Sequence, residues 1–320
     1  MKFYSEALEI YSDIGDQPGR AGALWGLASV HRFQDAVEES IDFYSQALQI
    51  YTDIRDKEGI TFTLWGLAQA NRNRGDYSKA IELYSEALRV CIDIGNRLGR
   101  ADALAGLAEV HRLRHEYNQA VKLYHEALQI HTEMGNRKRR ADDLWGLGGV
   151  HLLRNECSEA VIRYAEAVQL CTDINDRQGR AEALRGLGYA HSRQEKYNEA
   201  VTYHSEALQI AAEIGDKQGK AEALRGLADT YQLRNEYSEA VRLYSEASQI
   251  ATDIGDKRGR AEALLGLAEV HRRQDHHSDA MSCYAQAAEI FEKIGNNKAA
   301  GDALRNVADV QQLSKVETAL

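Results

Sequence analysis

The chain has 320 residues, 44% of them hydrophobic and 28% charged, and one proline, which describes a folded, helix-rich protein and argues against an all-β one. A formal net charge of −10 disfavours nucleic acid and anionic membrane as partners, because both need a basic face. No apolar run reaches the ~18 residues of a membrane span. Met1 to Glu6 lacks a signal-peptide core, and Cys91, Cys157, Cys171 and Cys283 form no CxxC pair, so a reducing, cytoplasmic setting is expected.

Read from the N-terminus, the chain repeats every forty residues with no insertion. Gly26, Gly66, Gly106, Gly146, Gly186, Gly226 and Gly266 form one column, with Asn306 in the eighth place; Ala7 to Ala287 and Leu24 to Leu304 form two more. Residues 1–19 are a partial unit, full units run from about 20 to 299, and 300–320 is a second partial unit, so residues 1–320 read as one solenoid. Met1 aligns with Val241, which leaves the first unit without its opening helix, and the last lacks its second. Uncapped ends of this kind imply a segment of a longer array or head-to-tail self-association.

Each unit holds two helices, A and B, clearest between Asp216 and Gly255. Leu224, Leu227, Ala228 and Tyr231 line one face of helix A, and Ala240, Leu243, Tyr244, Ala247 and Ile250 line one face of helix B. Asn235-Glu236 breaks the pair, Gly255 suits a left-handed helix end, and Asp256 caps the next helix A. Pro18 sits in a first turn, where its missing N–H does no harm. Sixteen helices of about 14–18 residues follow. Glycine inside helix A costs about 1 kcal/mol relative to alanine, so the Gly26 column predicts a close helix approach, with the small Ala47 column as its counterpart.

These columns resemble the tetratricopeptide repeat, whose W-x2-L-G-x2-Y…A-x3-F…A spacing maps onto Leu224, Leu227, Ala228, Tyr231, Ala240, Tyr244 and Ala247. The forty-residue unit is similar to the long-unit branch found in Leu-Gly-Asn repeat proteins, kinesin light chains and the C-terminal arrays of fungal STAND-type proteins. The resemblance implies an all-α, right-handed α-α superhelix of about 16 antiparallel helices that works as a protein-interaction scaffold, not an enzyme. Family members that grip C-terminal carboxylates use Asn or Arg in the Gly26 column; glycine removes that clamp.

Sites of chemistry are not expected, and neither is a cofactor. Gly215 to Ala221 looks like a phosphate loop but is one residue short between its glycines and ends on Ala where a Mg²⁺-binding hydroxyl is needed. His31, His111, His151, His191 and His271 share one column, yet neighbouring helices pack about 8–10 Å apart and zinc needs ligands at about 2 Å. His276-His277 offers no third ligand at useful spacing, so no metal site is expected. Carboxylates read as i,i+3 partners of arginine along one helix: Glu182–Arg185, Glu222–Arg225 and Glu269–Arg272. Thr318-Ala319-Leu320 fits a C-terminus read by PDZ domains.

One column varies instructively: Trp25, Trp65, Ala105, Trp145, Arg185, Arg225, Leu265 and Arg305. Beside it vary Phe62, Asp102, Asp142 and Glu182 in one column, and Gln69, Glu109, Gly149 and Tyr189 in another. In tetratricopeptide proteins this part of helix A faces the concave groove. The resemblance therefore makes Trp25, Phe62, Trp65, Gln69, Trp145, Arg185, Tyr189 and Arg225 the expected contacts of a bound protein or peptide. The rival expectation is a self-assembling structural or sensor module of a larger multidomain regulator, acting through its ends.

Overall fold

The helix starts are set by side chains. Asp16, Asp56, Asp176, Asp216 and Asp256 each accept the backbone N–H of the glycine three residues on, at 2.8–3.0 Å, which satisfies a donor the helix leaves unpaired. Asn96 does the same for Gly99 at 2.8 Å. Helix B ends in the left-handed region at Gly95, Gly135, Gly215, Gly255 and Gly295, and Arg55 and Asn175 adopt the same conformation in their units. Asp and Asn caps thus alternate with left-handed turns along the chain.

The computed structural model describes residues 1–34 and 36–319, with side chains to residue 314; Thr318-Ala319-Leu320 lies outside the described side chains. Among the described residues there are sixteen helices and no strand. In chain order they are α1 (Lys2–Asp13), α2 (Gln17–Phe33), α3 (Val37–Asp53), α4 (Lys57–Arg74), α5 (Tyr77–Asp93), α6 (Arg97–Leu113), α7 (Tyr117–Glu133) and α8 (Arg137–Leu153). There follow α9 (Cys157–Asp173), α10 (Arg177–Arg193), α11 (Tyr197–Ile214), α12 (Lys217–Leu233), α13 (Tyr237–Asp253), α14 (Lys257–Arg273), α15 (His277–Lys293) and α16 (Asn297–Ala319). Even-numbered helices are A and odd-numbered helices are B. No described helix is long and apolar enough to cross a membrane.

The residues form two compact units, 1–150 and 151–320. In the first, successive helices from α1 to α7 pack on one another, and α2 also touches α4, and α4 touches α6. In the second, successive helices from α9 to α16 pack likewise, with α10 touching α12 and α12 touching α14. Helix A therefore meets the preceding B, its own B and the next A. Its alanine and leucine columns are mostly buried, as at Ala101, Leu104, Leu107 and Ala108 in the first unit and Ala221, Leu224, Leu227 and Ala228 in the second, while Leu304 of the last helix is exposed.

The glycine column makes the approach that its helix penalty predicts, but against a different partner. A Cβ on Gly66 would lie 2.6 Å from the Tyr44 ring, one on Gly106 2.4 Å from Tyr84, and one on Gly146 2.5 Å from Tyr124. In the second unit Gly186 meets Tyr164, Gly226 meets His204 and Gly266 meets Tyr244 at 2.3–2.4 Å. The counterpart is thus an aromatic ring on the preceding helix B, not the Ala47 column. A flat ring lies against bare helix backbone only where no Cβ stands, and an alanine is too short to fill that space.

Two glycine-to-alanine changes should have opposite signs. Gly106→Ala gains helix propensity of about 1 kcal/mol but drives a Cβ into the buried Tyr84 ring, and overpacking costs about 1–3 kcal/mol. The nearest atom to a Cβ on Gly22 is the Tyr51 hydroxyl at 3.8 Å, so Gly22→Ala should stabilise by about 0.5–1 kcal/mol. Urea unfolding midpoints of the two variants test this; Gly106→Ala as stable as Gly22→Ala would refute the ring contact.

Candidate functional site

Every face of helix A but one is covered. In α10 the buried residues include Ala181, Ala183, Leu184, Gly186, Leu187 and Gly188, while Glu182, Arg185 and Tyr189 stay half-exposed. In α4 the corresponding residues are Phe62, Trp65 and Gln69 among buried Thr61, Thr63, Leu64, Gly66, Leu67 and Ala68. Spacings of three and four align these positions in one stripe along the helix. The three variable columns of the sequence are this stripe.

In residues 1–150 the stripe is aromatic. Phe62 is 57% exposed and Trp145 41% exposed. Trp25 and Trp65 are half-buried and pack against the core. Trp25 donates its indole N–H to the Phe62 carbonyl oxygen at 3.4 Å and meets the Tyr44 ring edge-on at 6.3 Å. Tyr44 and Tyr124, which lie on glycines, also send their hydroxyls toward the stripe. Tyr44 Oη is 2.9 Å from Ser29 Oγ, and Tyr124 donates to Glu109 at 3.1 Å.

In residues 151–320 the stripe is ionic. Arg185 pairs with Glu222, and Arg225 with Glu262. The sequence had pointed each arginine to a carboxylate three residues back on its own helix, whereas these pairs cross to the next helix A. Glu269–Arg272 forms as expected, at 2.7 Å. Tyr189 packs edge-on against the His204 ring at 4.9 Å. Burial, reinforced by the Asp229 carboxylate, pushes its hydroxyl up to about 12. His204 stands where sister units have tyrosine; burial, helped by Arg185, pushes its imidazole down to about 3, so it is neutral. Tyr244 donates to Asp229, and its hydroxyl oxygen also lies 3.0 Å from the Gln232 side-chain oxygen.

The tetratricopeptide-repeat family model matches residues 19–93, 60–133, 99–173, 179–253 and 236–293. The chain belongs to the tetratricopeptide-repeat family. Among solved structures, a Rap protein complexed with Competence and Sporulation Factor superposes with a TM-score of 0.66 at 17% identity, covering 95% of this chain and 90% of that one. A STAND protein with a tetratricopeptide-repeat sensor from Pyrococcus horikoshii gives 0.63 at 14% identity, covering 93% of this chain and 49% of that one. The nearly identical TPR-like repeats assigned to a Podospora anserina kinesin light chain give 0.51 at 17% identity, covering 61% and 95%. No curated protein sequence is a significant match.

Two polar clusters depart from this tetratricopeptide frame. In the first unit His131 of α7 is buried, with Nδ1 2.6 Å from Asp143 Oδ2 and Nε2 3.6 Å from Asp102 Oδ1. Arg139 Nε reaches Asp102 at 3.2 Å. Burial pushes the His131 imidazole down, but the two carboxylates outweigh it and leave it at about 9. Asp102 belongs to the stripe, so this buried pair anchors a stripe residue from behind. The sequence held a signal: Asp143 occupies a column that is otherwise alanine or threonine, twelve residues after a histidine.

The second cluster corrects the expectation that the His276-His277 pair has no third ligand. The ligand atoms of His271, His276 and Asp279 all lie within 4.8 Å of one another. The reason is the turn between helices A and B, which brings residues five apart together. His151 Nδ1 thereby meets Glu156 Oε2 at 2.7 Å, and His111 meets Glu116 in the same way. A search down the histidine column looks along the array, whereas the ligands converge within one turn.

The His131–Asp143 pair gives a stability prediction with a pH window. A histidine whose folded value is raised contributes stability that is complete below about 6.5 and lost as pH rises through about 9. The melting temperature of the native chain should therefore fall more steeply from pH 7 to pH 10 than that of His131→Cys/Asp143→Ala. That double variant copies the sister pairs Cys91–Ala103 and Cys171–Ala183. Asp143→Ala alone should cost about 3 kcal/mol by stranding a buried imidazolium, and the double change should recover most of it. Equal stability of the single variant and the native chain would contradict a buried ion pair.

Proposed function

We propose that this chain is a protein-interaction module that holds an extended segment of a partner protein across the A-helix stripe, in a concave groove of the kind tetratricopeptide arrays use. The carrying observation is that Phe62 and Trp145 expose large aromatic surface on the one uncovered face of helix A. Exposed aromatic surface on a charged, soluble-looking frame is the usual mark of a partner site, and tryptophan is enriched where binding energy concentrates. Within each compact unit neighbouring A helices touch, so a segment lying across them meets a new set of stripe residues in each repeat. The Rap protein was solved complexed with Competence and Sporulation Factor, and the Pyrococcus horikoshii array is described as a sensor; both are in keeping with a binding role.

Within that reading Phe62, Trp145, Trp25 and Trp65 supply apolar contact, and Gln69 supplies an amide beside them. Arg185 and Arg225 already have carboxylate partners, so they offer a ligand the unused donors of a paired guanidinium together with Glu222 and Glu262. Tyr189 adds an aromatic edge. The groups of the first unit fit a segment with apolar anchors, and those of the second fit one of mixed charge.

The test uses substitutions already present in sister units. Phe62→Glu copies Glu182, and Trp145→Arg copies Arg185. The double variant should keep its melting temperature within about 2 °C, because exposed substitutions shift stability by less than about 0.5 kcal/mol. It should lose partner capture from a lysate by tenfold or more, since truncating a hot spot costs about 2 kcal/mol or more. Ile92→Thr, an exposed change on helix B that copies Thr132, should leave capture intact. Capture that survives the stripe variant but fails with Ile92→Thr would move the site to the B helices.

A further inference from the structure

The seventh helix A and its turn carry a set of ligands that no sister unit has. The structural frame is shared. The column of His271 lies against the column of His276 across the A-to-B turn, where Asp275 holds the left-handed conformation that His115 and Asn155 hold in their units. In two sisters this contact is a histidine with a carboxylate, His111 with Glu116 and His151 with Glu156. At His271 the partner is a second imidazole, and the ring centroids stand 5.9 Å apart at 39°. His271 Nδ1 is buried without a hydrogen-bond partner. Asp279, one turn into α15, brings a carboxylate oxygen within 4.8 Å of both imidazoles.

We infer that His271, His276 and Asp279 form a binding site for a divalent transition-metal ion of the zinc, cobalt or nickel class. Two imidazoles and one carboxylate are the donors of three-ligand sites that keep a fourth position for water or an incoming ligand. Imidazole nitrogen selects this class over magnesium and calcium, which take oxygen ligands. Ligand atoms on a tetrahedral ion stand about 3.3 Å apart, from bond lengths of about 2.0–2.1 Å. His276 and Asp279 are exposed, so rotation of their side chains closes the remaining gap while His271 is held by its helix. Lys293, Arg272 and Arg273 do not compete: Lys293 pairs with Glu289, and both arginines pair with Glu269. The ion joins the last turn of α14 to the first turn of α15 and so clamps that helix pair.

Tag-free protein, stripped with chelator and titrated calorimetrically with Zn²⁺, tests the site. The native chain should take up one ion per chain, and Co²⁺ should show the visible ligand-field absorption of a nitrogen-coordinated site. His276→Ala and Asp279→Lys copy Ala36 and Lys79 of sister units and should each weaken Zn²⁺ by about tenfold or more. His31→Asn, which copies Asn71, should leave it unchanged. Zn²⁺ should raise the melting temperature of the native chain and of His31→Asn but not of His276→Ala, and Mg²⁺ should do neither. Absence of saturable uptake overturns the inference. So does uptake that survives His276→Ala or Asp279→Lys, or that falls equally with His31→Asn.

Discussion

The contact on which the array depends is an aromatic ring laid against bare helix backbone. Tyr44, Tyr84, Tyr124, Tyr164 and Tyr244 each press on a glycine of the following helix A, at distances that no Cβ would permit. The ring joins three helices where its hydroxyl reaches back to its own helix A, as Tyr124 does to Glu109 and Tyr244 to Asp229. Helix propensity lost at the glycine is offset by apolar area buried on both sides of the ring. His204 shows the tolerance of the site: an imidazole fills the same gap between Gly188 and Gly226, but both nitrogens are left unpartnered and it stays neutral.

A frame this repetitive confines variation to few places. Most buried positions of helix A hold alanine, leucine or glycine, and the stripe is where side-chain character changes most. Its residues change character from Phe62 and Trp145 to the Arg185–Glu222 and Arg225–Glu262 pairs without disturbing the helices that carry them. Under the proposed reading, stability and recognition rest on different columns. The buried His131–Asp143 pair places polarity in the core and holds Asp102 at the surface.

The repeat, the helix pairs, their caps and the family all follow from one sequence, because period, apolar spacing and capping are local properties that recur eight times over. Asp256 at a helix start and Gly255 at a helix end were readable for that reason, and so was the stripe as a set of variable columns. Contacts between helices were not readable. The glycine's partner proved to be a ring rather than an alanine, the arginines' partners sat on the next helix, and three metal-type ligands converged across a turn. Each is decided by distances between residues that sequence spacing relates only through packing, and packing is set when helices choose their neighbours in three dimensions.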